Sequence, residues 1–375
     1  MTDPLREIQR RFAEFAEAFP GLWLYSRLSR ALSQDAAASL LLAAPKGQRR
    51  PVLLFAALHY LLTLSPDVPA ARWYASIVGR DHLPRGDPWP DVRAALVEHE
   101  AELRNLVATR TTQTNEVNRS TYLAWALAQL PRRPTALIEI GSSAGLLLGL
   151  DRYRVELEAS EGAVVLGDPT SPVGCVGRLD RTAGSGLDGL VLPPIVARLG
   201  IDLDPITLDD TDGLAWLRAC LWPDVPGRVE RFDSAVALLR ASGPPPLVRA
   251  DASTDLTRVL SALFRTPERG PPGDQGFEQC VVFTSWALTY IARDKRPDVV
   301  QAILRSESVL GVPVTLVTAE ADGVVPGVSV VGTSDTVLAA QTREGARVLA
   351  TVHPHGEWIR PMGEGATRRP THSVD

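Results

Sequence analysis

Residues 135–153, TALIEIGSSAGLLLGLDRY, constrain the fold more than any other stretch of the chain. A short apolar strand runs into a tight Gly-Ser-Ser-Ala-Gly turn and then into a leucine-rich segment that predicts a helix. Strand patterns recur downstream at AVVL (163–166), VGCV (173–176), LVRA (247–250), CVVF (280–283) and VPVTLVT (312–318). Helical patterns separate most of them, which predicts an α/β fold with a mainly parallel, doubly wound, Rossmann-like sheet. GVSVVG (327–332) and RVLATVH (347–353) leave no room for a crossover helix and predict an antiparallel closing pair. The segment 178–240, with LAWLRACLWPD, reads as a helical insertion, and 363–375 reads as a disordered tail.

Before Pro134 the texture is helical. Leu5, Ile8, Phe12, Phe15 and Phe19 recur at spacings of three and four. PVLLFAALHYLLTL reads as a buried helix opened by Pro51. Val92, Leu96, His99, Leu103 and Leu106 form a third stripe, on which His99 reads as a hydrogen-bonded core histidine. The expected division is therefore a helical domain over 1–133 and a sheet domain over 134–362, in a chain of 375 residues with ample material for a core.

A net charge of −5 gives no basic footprint for nucleic acid. No apolar run reaches the length of a membrane span, and MTDPLREIQRRF lacks the layout of a signal peptide. Cys175, Cys220 and Cys280 lie far apart, with neither zinc spacing nor a disulfide framework, so a reduced cytoplasm is the expected compartment. Lys46 and Lys295 are the only lysines, which disfavours Schiff-base chemistry.

The glycine turn admits three readings. Gly141-x-Ser143-x-Gly145 matches a hydrolase nucleophile elbow, and His353 and His355 follow in the right order. Against it, the chain upstream is helical and carries no glycine-rich oxyanion segment. The same turn fits the first loop of a nucleotide-binding unit, where small residues let a ligand approach the backbone. It also fits a plain structural turn. His353 and His355 lack the nearby acids that a metal site needs, so no metal is expected.

Residues 108–120, ATRTTQTNEVNRS, hold one bulky apolar side chain, Val117, among hydrogen-bonding groups. A solvated loop or helix cap would look like this. As the wall of a cleft, the stretch offers Arg110 and Arg119 to an anion, Gln113, Asn115 and Asn118 as neutral partners, and Glu116 as a base. It would then face Ser142, Ser143 and Asp151 across the sheet top. Trp286 and Tyr290 read as core or as a substrate platform, and Asp224 as a helix end. Asp209, Asp210 and Asp212 read as a solvated helix start.

GQRRPVLLFAALHYLL, ATRTTQTNEVNR, LIEIGSSAGLLLGLDRYR, SPV, WLRACLWPD, LVRADA, FTSWALTYI and HPHGEW together resemble the actinobacterial protein family of unknown function 2332, over roughly residues 10 to 358. The resemblance implies a class I methyltransferase-type fold with a helical N-terminal addition. For S-adenosylmethionine it points to Gly141, Gly145 and Asp251. Ser143 replaces the middle glycine of such a loop, Val176 stands where an acid for the ribose is expected, and Thr284 stands where histidine is expected. The cofactor is therefore expected to bind weakly or not at all. Relatives occur in natural-product pathways to aziridines, where an amine closes onto a neighbouring carbon and expels sulfate. The resemblance thus implies a cofactor-free cyclisation on a small-molecule substrate, free or held by a carrier protein, with Glu116 and Asp151 as catalytic groups. Trp286 and His355 complete the expected substrate contacts. Two alternatives stand beside it: an S-adenosylmethionine-dependent methyltransferase, and a non-catalytic binding subunit with a partner protein.

Overall fold

The structure, a computed structural model, describes residues 3–160, 162–180, 189–256, 258–260 and 276–362. The chain divides into two compact units, one made of Met1–Glu116 and Asp209–Asp233, the other of Val117–Leu208 and Ser234–Asp375. The first boundary falls inside the polar stretch, ahead of the expected one at 133/134. The tail expected over 363–375 lies outside the described residues.

In the first unit, helix α1 (Pro4–Ala18) is opened by Pro4 and capped by Asp3, whose Oδ1 accepts from the Leu5 N–H at 3.0 Å. Its three-and-four spacing buries Ile8, Phe12 and Phe15. Helix α2 (Trp23–Leu32) lacks a local cap, and Asp224 supplies one from a distance by accepting from the N–H groups of Leu24 and Tyr25 at 2.8 and 3.0 Å. Asp224 thus starts one helix where the sequence suggested that it ends another. Helix α3 (Pro51–Leu64) is apolar all round and accordingly buried from Leu53 to Leu62. Phe12 meets Phe55 edge-on and Tyr25 stacks on it, at 5.7 and 4.4 Å between centroids. The third stripe divides at His99, which leaves helical geometry between the helices Trp89–Glu98 and Glu100–Thr109. Asp210 caps the helix Thr211–Ala219 by accepting from the Gly213 N–H at 2.9 Å.

The second unit is built on one sheet. In chain order its described strands are β1 (Thr135–Ile140), β2 (Arg154–Ala159), β3 (Gly162–Gly167), β4 (Gly174–Leu179), β5 (Ile195–Asp202), β6 (Leu247–Arg249), β7 (Gln279–Ser285), β8 (Val314–Ala321), β9 (Thr336–Thr342), β10 (Gly345–Val352) and β11 (Trp358–Pro361). They pair in the order β3-β2-β4-β11-β10-β9-β8-β7-β1-β5-β6. The run β6-β5-β1-β7-β8 is parallel, and β9, β10 and β11 continue antiparallel. β1 is buried along its whole length, as a central parallel strand with both faces covered must be.

Four differences from the sequence reading matter for the site. The segment taken as a helical insertion contains β5, which lies beside β1. VGCV forms β4, which pairs with β2 and β11 at a distance from β1. GVSVVG forms no strand, and the antiparallel partner of β8 is β9. LLLGLDRY makes a 3-10 helix (Leu146–Arg152) before β2, in place of an α-helix. The tight i-to-i+3 turns keep the leucines buried over this short span.

Candidate functional site

β1 lies between two parallel neighbours, β5 on one side and β7 on the other, and the carboxyl ends of these strands form the kind of switch point at which open α/β sheets place a ligand crevice. The turn after β1 is built on three left-handed residues, Gly141 (φ 76°), Ser143 (φ 50°) and Gly145 (φ 68°). Gly141 is needed twice over, because a Cβ there would also lie 2.4 Å from the Cβ of Ala287. The turn is laced to β5. The N–H groups of Gly141 and Ser142 donate to the Ile201 carbonyl at 2.8 and 3.3 Å, and that of Ser143 donates to Oδ2 of Asp202 at 2.8 Å. The Asp204 N–H donates to the other carboxylate oxygen at 2.8 Å. Ser142 is buried, and its hydroxyl has no partner among the described residues.

Two further acids stand at the same edge. Glu139, 4% exposed at the end of β1, has its Oε2 buried without a partner among the described residues. Burial pushes its pKa well above the ordinary carboxylate range, the Asp202 charge adds to the shift, and the Arg119 guanidinium opposes it. Asp251 follows β6, and hydrogen bonds from the Ser253 side chain and backbone hold its pKa below the usual range. Glu139, Asp202 and Asp251 therefore lie within two residues of the carboxyl ends of the adjacent parallel strands β1, β5 and β6.

On the other side of β1, Trp286 follows β7 with φ 58°, a conformation that costs a bulky residue about 1–3 kcal/mol. Its indole Nε1 donates to Oγ1 of Thr336 at 3.2 Å. Arg119 donates through Nε to the Pro354 carbonyl at 3.1 Å and through Nη1 to the Ser285 carbonyl at 3.2 Å. Asn118 brackets β4, giving hydrogen bonds to the carbonyls of Val176 and Gly356 at 3.0 and 3.1 Å and accepting from the Val176 N–H at 3.0 Å. Asn118 and Arg119 thus fix the HPHG turn, where the His355 N–H donates to His353 Nδ1 at 3.3 Å. His353 lies 3.8 Å from Glu357. Among the described residues no three His, Cys, Asp or Glu side chains gather as a metal site would require.

The polar stretch divides between the units. In the first unit Arg110 pairs with Asp212 and lies over the rings of Tyr60 and Trp216, at 5.8 and 5.6 Å. Gln113 meets the Cys220 thiol through its backbone. Asn115 is buried, with Nδ2 unpartnered among the described residues. Glu116 is gripped by Arg228 at 2.5 Å and Arg231 at 3.0 Å. Of the candidate side chains in this stretch, Asn118 and Arg119 belong to the unit that carries the glycine turn. Asp151 pairs with Arg198, four residues and so about 13 Å along β5 from Asp202, away from the edge where it was expected. Val176 is exposed on β4, so its identity has no bearing on the acid beside β1.

Sequence reasoning missed Glu139 and Asp202. An acid inside the apolar TALIEI was a signal for the first. IVARLGID carries the second, inside the segment that reads as a helical insertion. A groove of about 300 Å³ between Pro297, Leu304, Arg305, Pro326, Gln341 and Arg343 is a separate feature. Gln341 pairs with Leu316 near the start of β8, which puts that groove at the opposite edge of the sheet.

No curated protein matches the chain. Residues 7–360 match the profile of a family described as an uncharacterized protein conserved in bacteria, and the chain belongs to that family, DUF2332.

Proposed function

We propose that the crevice binds a nucleoside ligand of the S-adenosylmethionine type and that the protein is a methyltransferase acting on a small molecule. The observation that carries this reading is Asp202. It ends the strand next to β1 and is tied to the glycine turn, the position from which a carboxylate can accept both ribose hydroxyls. Numbered in chain order within the run β6-β5-β1-β7-β8, the five strands lie third-second-first-fourth-fifth, which supports the same reading.

Two orphaned atoms test the fit. Glu139 Oε2 and Ser142 Oγ, both buried without partners among the described residues, suit a ligand that brings hydroxyl and ammonium donors. Asp202 would hold the ribose, Asp251 the base edge, and the Gly141–Gly145 turn would allow close approach. S-adenosylmethionine supplies an electrophilic methyl group when bound. Glu139, whose pKa burial raises, would be the nearest carboxylate to take the proton released by the acceptor.

Cofactor-free cyclisation would draw its anion clamp from Arg110 and Arg119 and its base from Glu116. Those side chains are engaged by Asp212, by Pro354 and Ser285, and by Arg228 and Arg231, whereas each Asp202 oxygen accepts one backbone N–H and keeps a lone pair for a ribose hydroxyl, and so the nucleoside reading stands first. The weak cofactor binding expected from Ser143 and Val176 gives way in this proposal to a site in which Asp202 would take the ribose role. Calorimetry on the full chain with S-adenosylmethionine and S-adenosylhomocysteine tests the proposal. Micromolar binding that is lost in Asp202→Ala supports it, and no binding by the native chain up to about 0.1 mM overturns it.

A further inference from the structure

One carboxylate holds the turn that leaves β7. Glu320 on β8 is fully buried, at 0% exposure. Its Oε1 accepts three hydrogen bonds, from Thr284 Oγ1 at 2.8 Å and from the N–H groups of Ala287 and Leu288, each at 2.9 Å. Burial raises the Glu320 pKa, and these hydrogen bonds oppose that shift. Between the anchored points stands Trp286 in its left-handed conformation. Its N–H donates to the Ala319 carbonyl at 3.0 Å, and its indole is tied to Thr336. The next residue, Ala287, occupies the space where a side chain on Gly141 would have to go. Direct contacts therefore run from Glu320 through Ala287 to Gly141, and along the turn to the Ser143–Asp202 bond.

We infer that Glu320 is a positioning residue for the crevice: by fixing the β7 turn it seats Ala287 against Gly141 and so sets the loop that faces the ligand. The effect on ligand binding rests on the proposed nucleoside site, whereas the effect on the turn does not. Backbone strain of the kind seen at Trp286 persists only where the surroundings over-determine it. Three hydrogen bonds onto one buried oxygen supply that determination.

The test uses the full chain labelled with 5-fluorotryptophan. Eight tryptophans are present, and Trp286→Phe assigns the resonance of interest in the ¹⁹F spectrum. Glu320→Ala is expected to shift or broaden the Trp286 signal and to weaken S-adenosylhomocysteine binding by about tenfold or more. Glu320→Gln keeps an oxygen for the Ala287 and Leu288 N–H groups and is expected to restore both. An unchanged Trp286 signal in Glu320→Ala overturns the inference. If the native chain binds no nucleoside, the ¹⁹F comparison alone still decides whether Glu320 fixes the turn. Should Glu320→Ala not fold, Gly141→Ala is expected to displace the Trp286 signal and Gly141→Ala with Ala287→Gly to recover it in part. Identical spectra for those two variants also overturn it.

Discussion

The backbone N–H of Ser143 donates to Oδ2 of Asp202 at 2.8 Å, tying the turn after β1 to the end of β5. The same bond helps to explain why a serine stands with φ 50° in a glycine-type turn, because the strain of that conformation aims the N–H at a carboxylate. The useful group at position 143 is thus the amide, whereas the Gly-x-Ser-x-Gly pattern draws attention to the hydroxyl.

Ser143→Ala is therefore expected to retain nucleoside affinity within about twofold, and Ser143→Gly to match or exceed the native stability by up to ~1 kcal/mol. Calorimetry and denaturant unfolding measure the two effects. A covalent adduct on Ser143, found by mass spectrometry after exposure to an activated ester, would revive the hydrolase reading.

Asp202→Asn keeps one oxygen for the turn but loses the charge, and S-adenosylhomocysteine affinity is expected to fall by about 10- to 100-fold, the range for a charged hydrogen-bonding partner. Asp151→Asn is the control, since Asp151 pairs with Arg198 further down β5. Equal losses in the two variants would contradict the assignment.

The parallel half of the sheet was legible because apolar runs such as CVVF and VPVTLVT mark strands buried on both faces. β5 was not. IVARLGID mixes Arg198 and Gly200 into its pattern, and it stands next to LAWLRACLWPD, whose helical signal coloured the whole segment. Without β5 the next parallel strand after β1 falls on VGCV, which puts the exposed Val176 where the ribose acid is expected. The density of the polar stretch was legible, but its use was not. Arg110 and Glu116 find their partners Asp212, Arg228 and Arg231 about a hundred residues away in sequence, beyond the reach of local spacing.

Glu139 gives a pH signature. Its folded-state pKa is raised, by burial first and by the Asp202 charge second, with Arg119 opposing. The folded chain therefore holds this proton more tightly than the unfolded chain. The resulting stability is fully present below the unfolded value near 4.5 and is lost as pH rises through the folded value. Glu139→Gln mimics the neutral form, so the variant should match the native chain at acidic pH and exceed it by on the order of 1 kcal/mol once pH has risen through the folded value. Urea unfolding across that range checks it, and a difference that does not change with pH would count against a raised pKa.

Glu116 is 2% exposed and is held between Arg228 and Arg231 at 2.5 and 3.0 Å, with the Arg228 side chain itself 6% exposed. Removing its charge takes the Glu116 counter-ion away from two guanidinium groups, of which Arg228 is the more buried. The cost of breaking a buried pair in this way is about 3–5 kcal/mol. Glu116→Gln is thus expected to lower the unfolding free energy by that order, with most of the loss appearing as a lower denaturant midpoint. Adding Arg228→Met removes one stranded charge and supplies apolar volume, so the double variant should recover part of the loss. The two positions should accordingly show a coupling energy well above the few tenths expected of independent sites. The opposite pattern, a stable Glu116→Gln chain that has lost turnover, would make Glu116 the base that its sequence context suggests.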